Sequence, residues 1–137
     1  MNGFIWYFNM SELIYIDTNV WLDYFFNRDS GILSPAEISF ELFKRSVSCE
    51  FYIVISSPLI FELEKYIDEN KLKAHLEWLE PKLIRINLTL LEEKEAKKLP
   101  IHYPDCVHLF ISQKYSAKLV SNDKELQKLG AISSHIL

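Results

Sequence analysis

From about residue 13 onward, apolar positions fall into two patterns that take turns along the chain. Short unbroken runs rich in β-formers read as strands: Leu13-Ile-Tyr-Ile16, Phe51-Tyr-Ile-Val-Ile55, Leu83-Ile-Arg-Ile86 and Lys118-Leu-Val-Ser121. Between them apolar residues recur every three or four positions, the spacing of one helical face. Val20, Trp21, Tyr24 and Phe25 predict a helix to about Arg28, followed by a loop at Asp29-Ser-Gly31. Ser34-Pro-Ala-Glu37 offers an N-cap serine, a proline at the first helical position and a glutamate three on from the cap. The helix it starts continues through Ile38, Leu42, Phe43 and Val47. Ser56-Ser-Pro58 opens another, carrying Leu59, Ile60, Leu63 and Ile67; a further one carries Leu72, Leu76 and Leu79 and stops before Pro81. Thr89-Leu-Leu-Glu92 is a second capping box, for a helix to about Leu99. Tyr103-Pro104-Asp105 begins the next, Asp123 to Leu129 forms a short one, and Ala131 to Ser133 reads as a last edge strand.

Strands that alternate with helices, and that are continuous rather than alternating in apolarity, belong to a parallel sheet covered on both faces. The expected fold is therefore α/β: three layers, α/β/α, around a mostly parallel sheet of four to five strands. The 137 residues suit a single domain, 1–137, and are too few for two ordinary ones. A hydrophobic fraction of 49% excludes a disordered chain. The two cysteines, Cys49 and Cys106, cannot form a disulfide scaffold and read as buried, inert thiols, in a reducing cytosol or in a secreted chain without bridges. Residues 1–10 are apolar but lack the basic residues of a signal peptide, and no run approaches the roughly 18 residues of a membrane span. The expectation is a soluble, cytoplasmic protein with no membrane attachment. Its first ten residues are either an arm that packs on a partner or, if Met10 is the true start, an upstream extension.

In an open parallel sheet, function gathers at the carboxyl ends of the strands. Asp17 ends the first strand and Asp123 lies just past the fourth; Asp105 falls in the first turn of a helix, and Glu62 about one turn into the helix after the second strand. Carboxylates gathered in this way repel one another and lose hydration unless a cation neutralises them. Hard oxygen donors without histidine or thiolate nearby favour Mg²⁺ or Mn²⁺ over zinc. Each acid also has an ordinary reading. Asp105 complements a helix dipole, Asp123 caps the helix that follows, and Glu62 is a solvated position for which Glu64 is an equal candidate on composition. Asp17, at the end of a buried run, is the hardest to explain that way.

At these residues the sequence resembles the PIN-domain ribonucleases, particularly the small VapC-like toxins of type II toxin–antitoxin pairs. Ile14-Tyr-Ile-Asp-Thr-Asn-Val20 resembles the family's opening strand and its Asp-Thr-Asn signature. Ser57-Pro-Leu-Ile-Phe-Glu-Leu63 resembles the second motif and selects Glu62 over Glu64. Asp105-Cys-Val-His-Leu109 is similar to the third, and Leu119-Val-Ser-Asn-Asp-Lys-Glu-Leu126 to the fourth. Ser121 stands for the usual threonine, Glu125 where many relatives have a second aspartate, and positions 109–112 are bulkier than is common there. The resemblance implies metal-dependent hydrolysis of phosphodiester bonds in single-stranded RNA. One or two Mg²⁺ or Mn²⁺ ions would be held by Asp17, Asp105, Asp123 and, directly or through water, Glu62, with Asn19 and Ser121 orienting the carboxylates. It further implies a homodimer and a cognate antitoxin inserted near the site.

Little else in the chain carries chemistry. His75, His102, His108 and His135 have no zinc spacing, and His102 and His108 read as structural although His108 shares a helix face with Asp105. No Gly-rich phosphate loop is present. Lys94, Lys97 and Lys98 read as a solvated helix face, while Arg28, Lys44 and Arg45 are candidates for an RNA groove. Aromatics make up 14% of the chain and crowd its first part (Trp6, Tyr7, Phe8, Trp21, Tyr24, Phe25, Phe26), which points to an apolar partner surface or to an unusually aromatic core. Three further readings compete: a PIN nuclease of RNA processing or decay without an antitoxin, a non-catalytic PIN-like binding module, and a receiver-type signalling domain. The last needs an aspartate ending the third strand, and Leu83-Ile-Arg-Ile-Asn87 has none. A net charge of −4 is unsuited to bulk capture of RNA, but setting the four acids aside leaves 15 acids against 15 bases.

Overall fold

The computed structural model describes residues 12–26, 35–48 and 50–134, along which strands and helices alternate. In chain order they are β1 (Glu12–Ile16), α1 (Thr18–Phe25), α2 (Pro35–Val47), β2 (Phe51–Ser56), α3 (Ser57–Glu64), α4 (Glu69–Leu79), β3 (Leu83–Ile86), α5 (Leu90–Ala96), α6 (Asp105–Lys114), β4 (Lys118–Val120) and α7 (Lys124–Lys128). The aromatic arm within residues 1–10, Arg28, the loop at 29–31, the Ser34 cap, Cys49 and His135 lie outside the described residues.

Ile14, Tyr15 and Ile16 are consecutive and all fully buried, as are Ile53, Val54 and Ile55 within about a percent. Successive strand side chains point to opposite faces, so such runs require cover on both sides of the sheet. The four strands are all parallel and lie in the order β3-β2-β1-β4. Ile14 pairs with both Ile53 and Lys118, and Val54 pairs with both Tyr15 and Ile84. The chain thus steps outward through β2 and β3, then returns to the other side of β1 for β4. That reversal opens a crevice at the carboxyl ends of β1 and β4. Across it, the Asp17 N–H donates to the Val120 carbonyl at 2.9 Å.

The expected fifth strand is reduced to one parallel bridge between Val120 and Ile132. Asn122 fastens this last segment, its Oδ1 accepting from the Ser134 N–H (3.1 Å) and hydroxyl (3.0 Å). α1 ends at Phe25 rather than near Arg28, and α5 at Ala96 rather than Leu99. In the second case Lys98 and Leu99 tighten into bonds with carbonyls three residues back, which closes the helix early. The capping box at Thr89 and Glu92 forms as the sequence predicts.

Trp21, Phe43 and Tyr15 are among the largest wholly buried side chains. Trp21 packs on Phe43 with ring centroids 4.8 Å apart and donates from Nε1 to the Ile16 carbonyl at 2.9 Å. The early aromatics divide: Trp21 is core, whereas Phe26 is about half exposed. Lys97 and Lys98 pair with Glu93 and Glu95 on a solvated face, and Arg45 is engaged by both oxygens of Glu50 (2.8 and 3.2 Å). Among the described residues no helix is long and apolar enough to cross a membrane.

Candidate active site

Asp17 occupies the single position between β1 and α1, so the sheet fixes its backbone and the helix start fixes its side chain. It is buried; Oδ1 accepts from the Thr18 N–H at 2.8 Å, and Oδ2 from the Ser121 hydroxyl at 2.8 Å. Burial pushes its carboxyl above the usual range, opposed by His108 and by the Ser121 and Thr18 hydrogen bonds. Ser121 directly follows β4, and its hydroxyl oxygen accepts the Asp123 N–H at 3.0 Å. Asp123 caps α7 through Oδ1, which accepts from Glu125 N–H (2.8 Å) and Leu126 N–H (3.2 Å). The ordinary reading of Asp123 as a cap is therefore realised, and the cap also anchors its carboxylate beside the crevice. Glu125 is exposed in the first turn of α7.

α3 starts directly from β2, with Ser56 accepting the Leu59 N–H at 3.2 Å as its cap. Glu62 lies half-buried on this helix with Oε2 3.4 Å from His108 Nε2, while Glu64 is exposed. The two candidates are thus separated by direction. Burial acts to raise the Glu62 carboxyl, yet His108, Thr18 and Lys65 outweigh it and leave it below the ordinary range. Asp105 is the first residue of α6, one turn ahead of His108 on the same face. Its carboxyl is pushed up to about 6, first by burial, then by the negative charges of Asp17 and Asp123, with Glu62 adding and His108 opposing.

His108, read from the sequence as structural, is held in a buried hydrogen-bond network that also reaches the candidate acids. It is wholly buried, with Nδ1 2.7 Å from the Tyr15 hydroxyl and Nε2 facing Glu62, Thr18 Oγ1 (3.5 Å) and Asp17 Oδ1 (4.0 Å). Tyr15 in turn lies 2.7 Å from Ser56 Oγ. Asn19 Oδ1 is buried with no hydrogen-bond donor among the described residues.

The family profile of the PIN domain matches residues 14–132. The chain belongs to the PIN-domain family. No curated protein matches this PIN domain. Among solved structures it is similar to one described as the crystal structure of VapBC2 from Rickettsia felis bound to a DNA fragment from their promoter. The two are 18% identical with a TM-score of 0.57, over 88% of this chain and 96% of that one. At that identity the likeness is one of fold.

The donor chemistry of this PIN domain fits a hard divalent cation: carboxylate oxygens from four segments, the Asp17 and Asp105 carboxyls both raised first by burial and Asp105 further by its acidic neighbours, and an amide oxygen without a donor among the described residues. The side chains stand more open than a closed ligand shell, and among the described residues no three of His, Cys, Asp and Glu close into a metal-holding set. Tyr15, Thr18 and His108 are the site neighbours that sequence reasoning missed. For Thr18 the signal was its place inside Asp-Thr-Asn. For His108 it was its register one turn from Asp105.

Proposed function

We propose that this PIN domain is a metal-dependent ribonuclease that hydrolyses phosphodiester bonds of single-stranded RNA, and that it is the toxin of a toxin–antitoxin pair. One observation carries the reading. A continuous run of polar contacts, Glu62–His108–Asp17–Ser121–Asp123, crosses the crevice where the strand order reverses, and Asp105 sits on the His108 face of α6. Such a concentration of acid is costly for a scaffold and useful for handling a cation.

Asp17, Asp105, Asp123 and Glu62 would hold Mg²⁺ or Mn²⁺, which when bound acidifies a water for attack on the phosphate and offsets charge on the phosphoryl oxygens. The chain's own contribution is placement. Thr18 N–H and the Ser121 hydroxyl fix the two oxygens of Asp17, Ser121 sets the turn that carries Asp123, and Asn19 offers a further acceptor to water in the site. The VapBC2 likeness supports an antitoxin partner, and the exposed Phe61, Leu90 and Leu91 support a homodimer. The cytoplasm is the compartment consistent with an RNA substrate.

The test is cleavage of a single-stranded RNA by purified protein with Mg²⁺ or Mn²⁺. We expect cleavage that chelation abolishes, and that Asp17→Asn and Asp105→Asn each lose while their circular dichroism stays native. Undiminished cleavage by either variant overturns the assignment. A small gene directly upstream, whose product co-purifies with the chain, separates a toxin from a nuclease of RNA decay.

A further inference from the structure

Ser56 Oγ, Tyr15 OH and His108 form a buried chain of short hydrogen bonds whose direction follows from counting hydrogens. The Ser56 hydroxyl accepts the Leu59 N–H and still has its own hydrogen to place; the Tyr15 oxygen at 2.7 Å is the acceptor in reach and takes it. Tyr15 then donates its one hydrogen to His108 Nδ1, also at 2.7 Å. An imidazole that accepts at Nδ1 carries its hydrogen at Nε2, where Glu62 Oε2 lies 3.4 Å away and Asp17 Oδ1 4.0 Å away. The reverse direction fails twice. It leaves the buried Ser56 hydrogen unused, and it turns a bare Nε2 lone pair toward two carboxylates, acceptor against acceptor, which the Thr18 hydroxyl 3.5 Å away does not relieve because it hydrogen-bonds Glu62.

We propose that His108 is a positioning residue: the Ser56–Tyr15 chain locks it as the Nε2–H tautomer, and it donates to Glu62 and holds that carboxylate beside Asp17. The chain begins and ends on the same helix, since Ser56 caps α3 and Glu62 lies six residues further along it. The orientation of the acid is thereby tied to β1 through Tyr15 and to α6 through His108. Tyr15 and His108 are 93 residues apart, so three elements must be docked before Glu62 is aimed. The consequence for metal binding rests on the ribonuclease reading; the tautomer does not.

Two measurements test it. Nitrogen NMR of the full chain, labelled in its histidines and kept at neutral pH without metal, reads the tautomer directly, with His108→Gln identifying the resonances by their loss. We expect a bare Nδ1 and a protonated Nε2; an Nδ1–H tautomer or an imidazolium overturns the proposal. Calorimetric titration with Mn²⁺ reads the consequence. His108→Ala should weaken binding roughly 10- to 100-fold, as loss of an outer-shell partner does. His108→Gln, which keeps an N–H in reach of Glu62, should restore most of that loss. If the alanine variant does not fold, Tyr15→Phe keeps the ring and its packing while removing the hydroxyl that sets the tautomer, and should give mixed tautomers and weaker Mn²⁺ binding. Equal Mn²⁺ affinity in wild type and variants overturns the proposal. Wild-type protein that binds no Mn²⁺ yet shows the Nε2–H tautomer overturns the ribonuclease reading and supports the tautomer assignment.

Discussion

Asp105 stands where burial and three other acids all disfavour its charge, so this residue opposes stability in the absence of a cation. Asp105→Asn should therefore raise the melting temperature in chelator by about 3 °C, the roughly 1 kcal/mol that remains once solvent screening of this partly exposed carboxyl is allowed for, while the proposed RNA cleavage is lost. A lowered melting temperature would instead mark Asp105 as an ordinary helix-start acid. Ser121→Ala has the opposite character. It removes the hydroxyl donor from Asp17 Oδ2 and leaves a buried carboxylate oxygen bare, at a cost of about 1–3 kcal/mol that Ser121→Thr should largely recover in a urea melt. Asp17 was legible in the sequence because a carboxylate ending a run as apolar as Leu-Ile-Tyr-Ile has little reason to be there for packing. His108 was not legible. Spacing along one helix says which face a residue shares, but nothing in one dimension announces that Tyr15, from the other end of the chain, will set its tautomer. Glu62 and Glu64 were indistinguishable by composition; the motif resemblance favoured Glu62, and in the fold Glu62 is half-buried beside His108 while Glu64 is exposed.

At the scale of elements, α1, α2 and α4 meet in a seam of rings around His75, whose centroid lies 4.5 to 5.7 Å from those of Tyr24, Phe43, Phe25, Trp78 and Trp21. Burial lowers the His75 pKa from 6.5 to about 4, and its Nε2 has no hydrogen-bond partner among the described residues. Between those two values the unfolded chain binds the proton and the folded one does not, so stability rises with pH. The contribution is complete above about 6.5 and is lost as pH falls toward 4, on the order of 3 kcal/mol in total. Melting temperatures at pH 7.5 and 4.5 should accordingly diverge more for wild type than for His75→Leu. The end of α7 is a second element with a single weak point. Gly130 sits at φ 110°, so Gly130→Ala should cost about 1–3 kcal/mol by backbone strain although no atom lies within 4 Å of the added methyl. The strands were legible because unbroken apolar runs have no other use in a short chain. The last edge segment, Ala131 to Ser133, makes a single bridge rather than a strand, through Ile132, whose N–H donates to the Leu119 carbonyl and whose carbonyl accepts the Ser121 N–H. The early stop of α5 depends on a choice between three- and four-residue bonds that local composition does not encode.

Taken whole, the molecule brings Asp17, Glu62, Asp105 and Asp123 toward the carboxyl ends of its strands and leaves apolar side chains exposed elsewhere. Phe61 is 65%, Leu91 71% and Leu90 79% accessible. If they meet a second copy, sedimentation at tens of micromolar concentration gives a dimer, and Phe61→Glu or Leu91→Glu shifts it to monomer; a wild-type monomer at that concentration removes the homodimer. Fold class and strand number were open to sequence reasoning because both follow from patterning. Partner surfaces were not, because an exposed leucine and a buried one look alike until the layers are stacked. One feature of the topology also governs the order of events during synthesis. The Ser121 hydroxyl that fixes Asp17 comes from 104 residues further along, and β4, which carries it alongside β1, is only three residues long. A nascent chain has made Asp17 and Glu62 long before it has made Asp123, and those acids stay unassembled until β4 has emerged from the ribosome. On the ribonuclease reading proposed above, translation would therefore finish most of this protein before its acids could be assembled to act on the message being read.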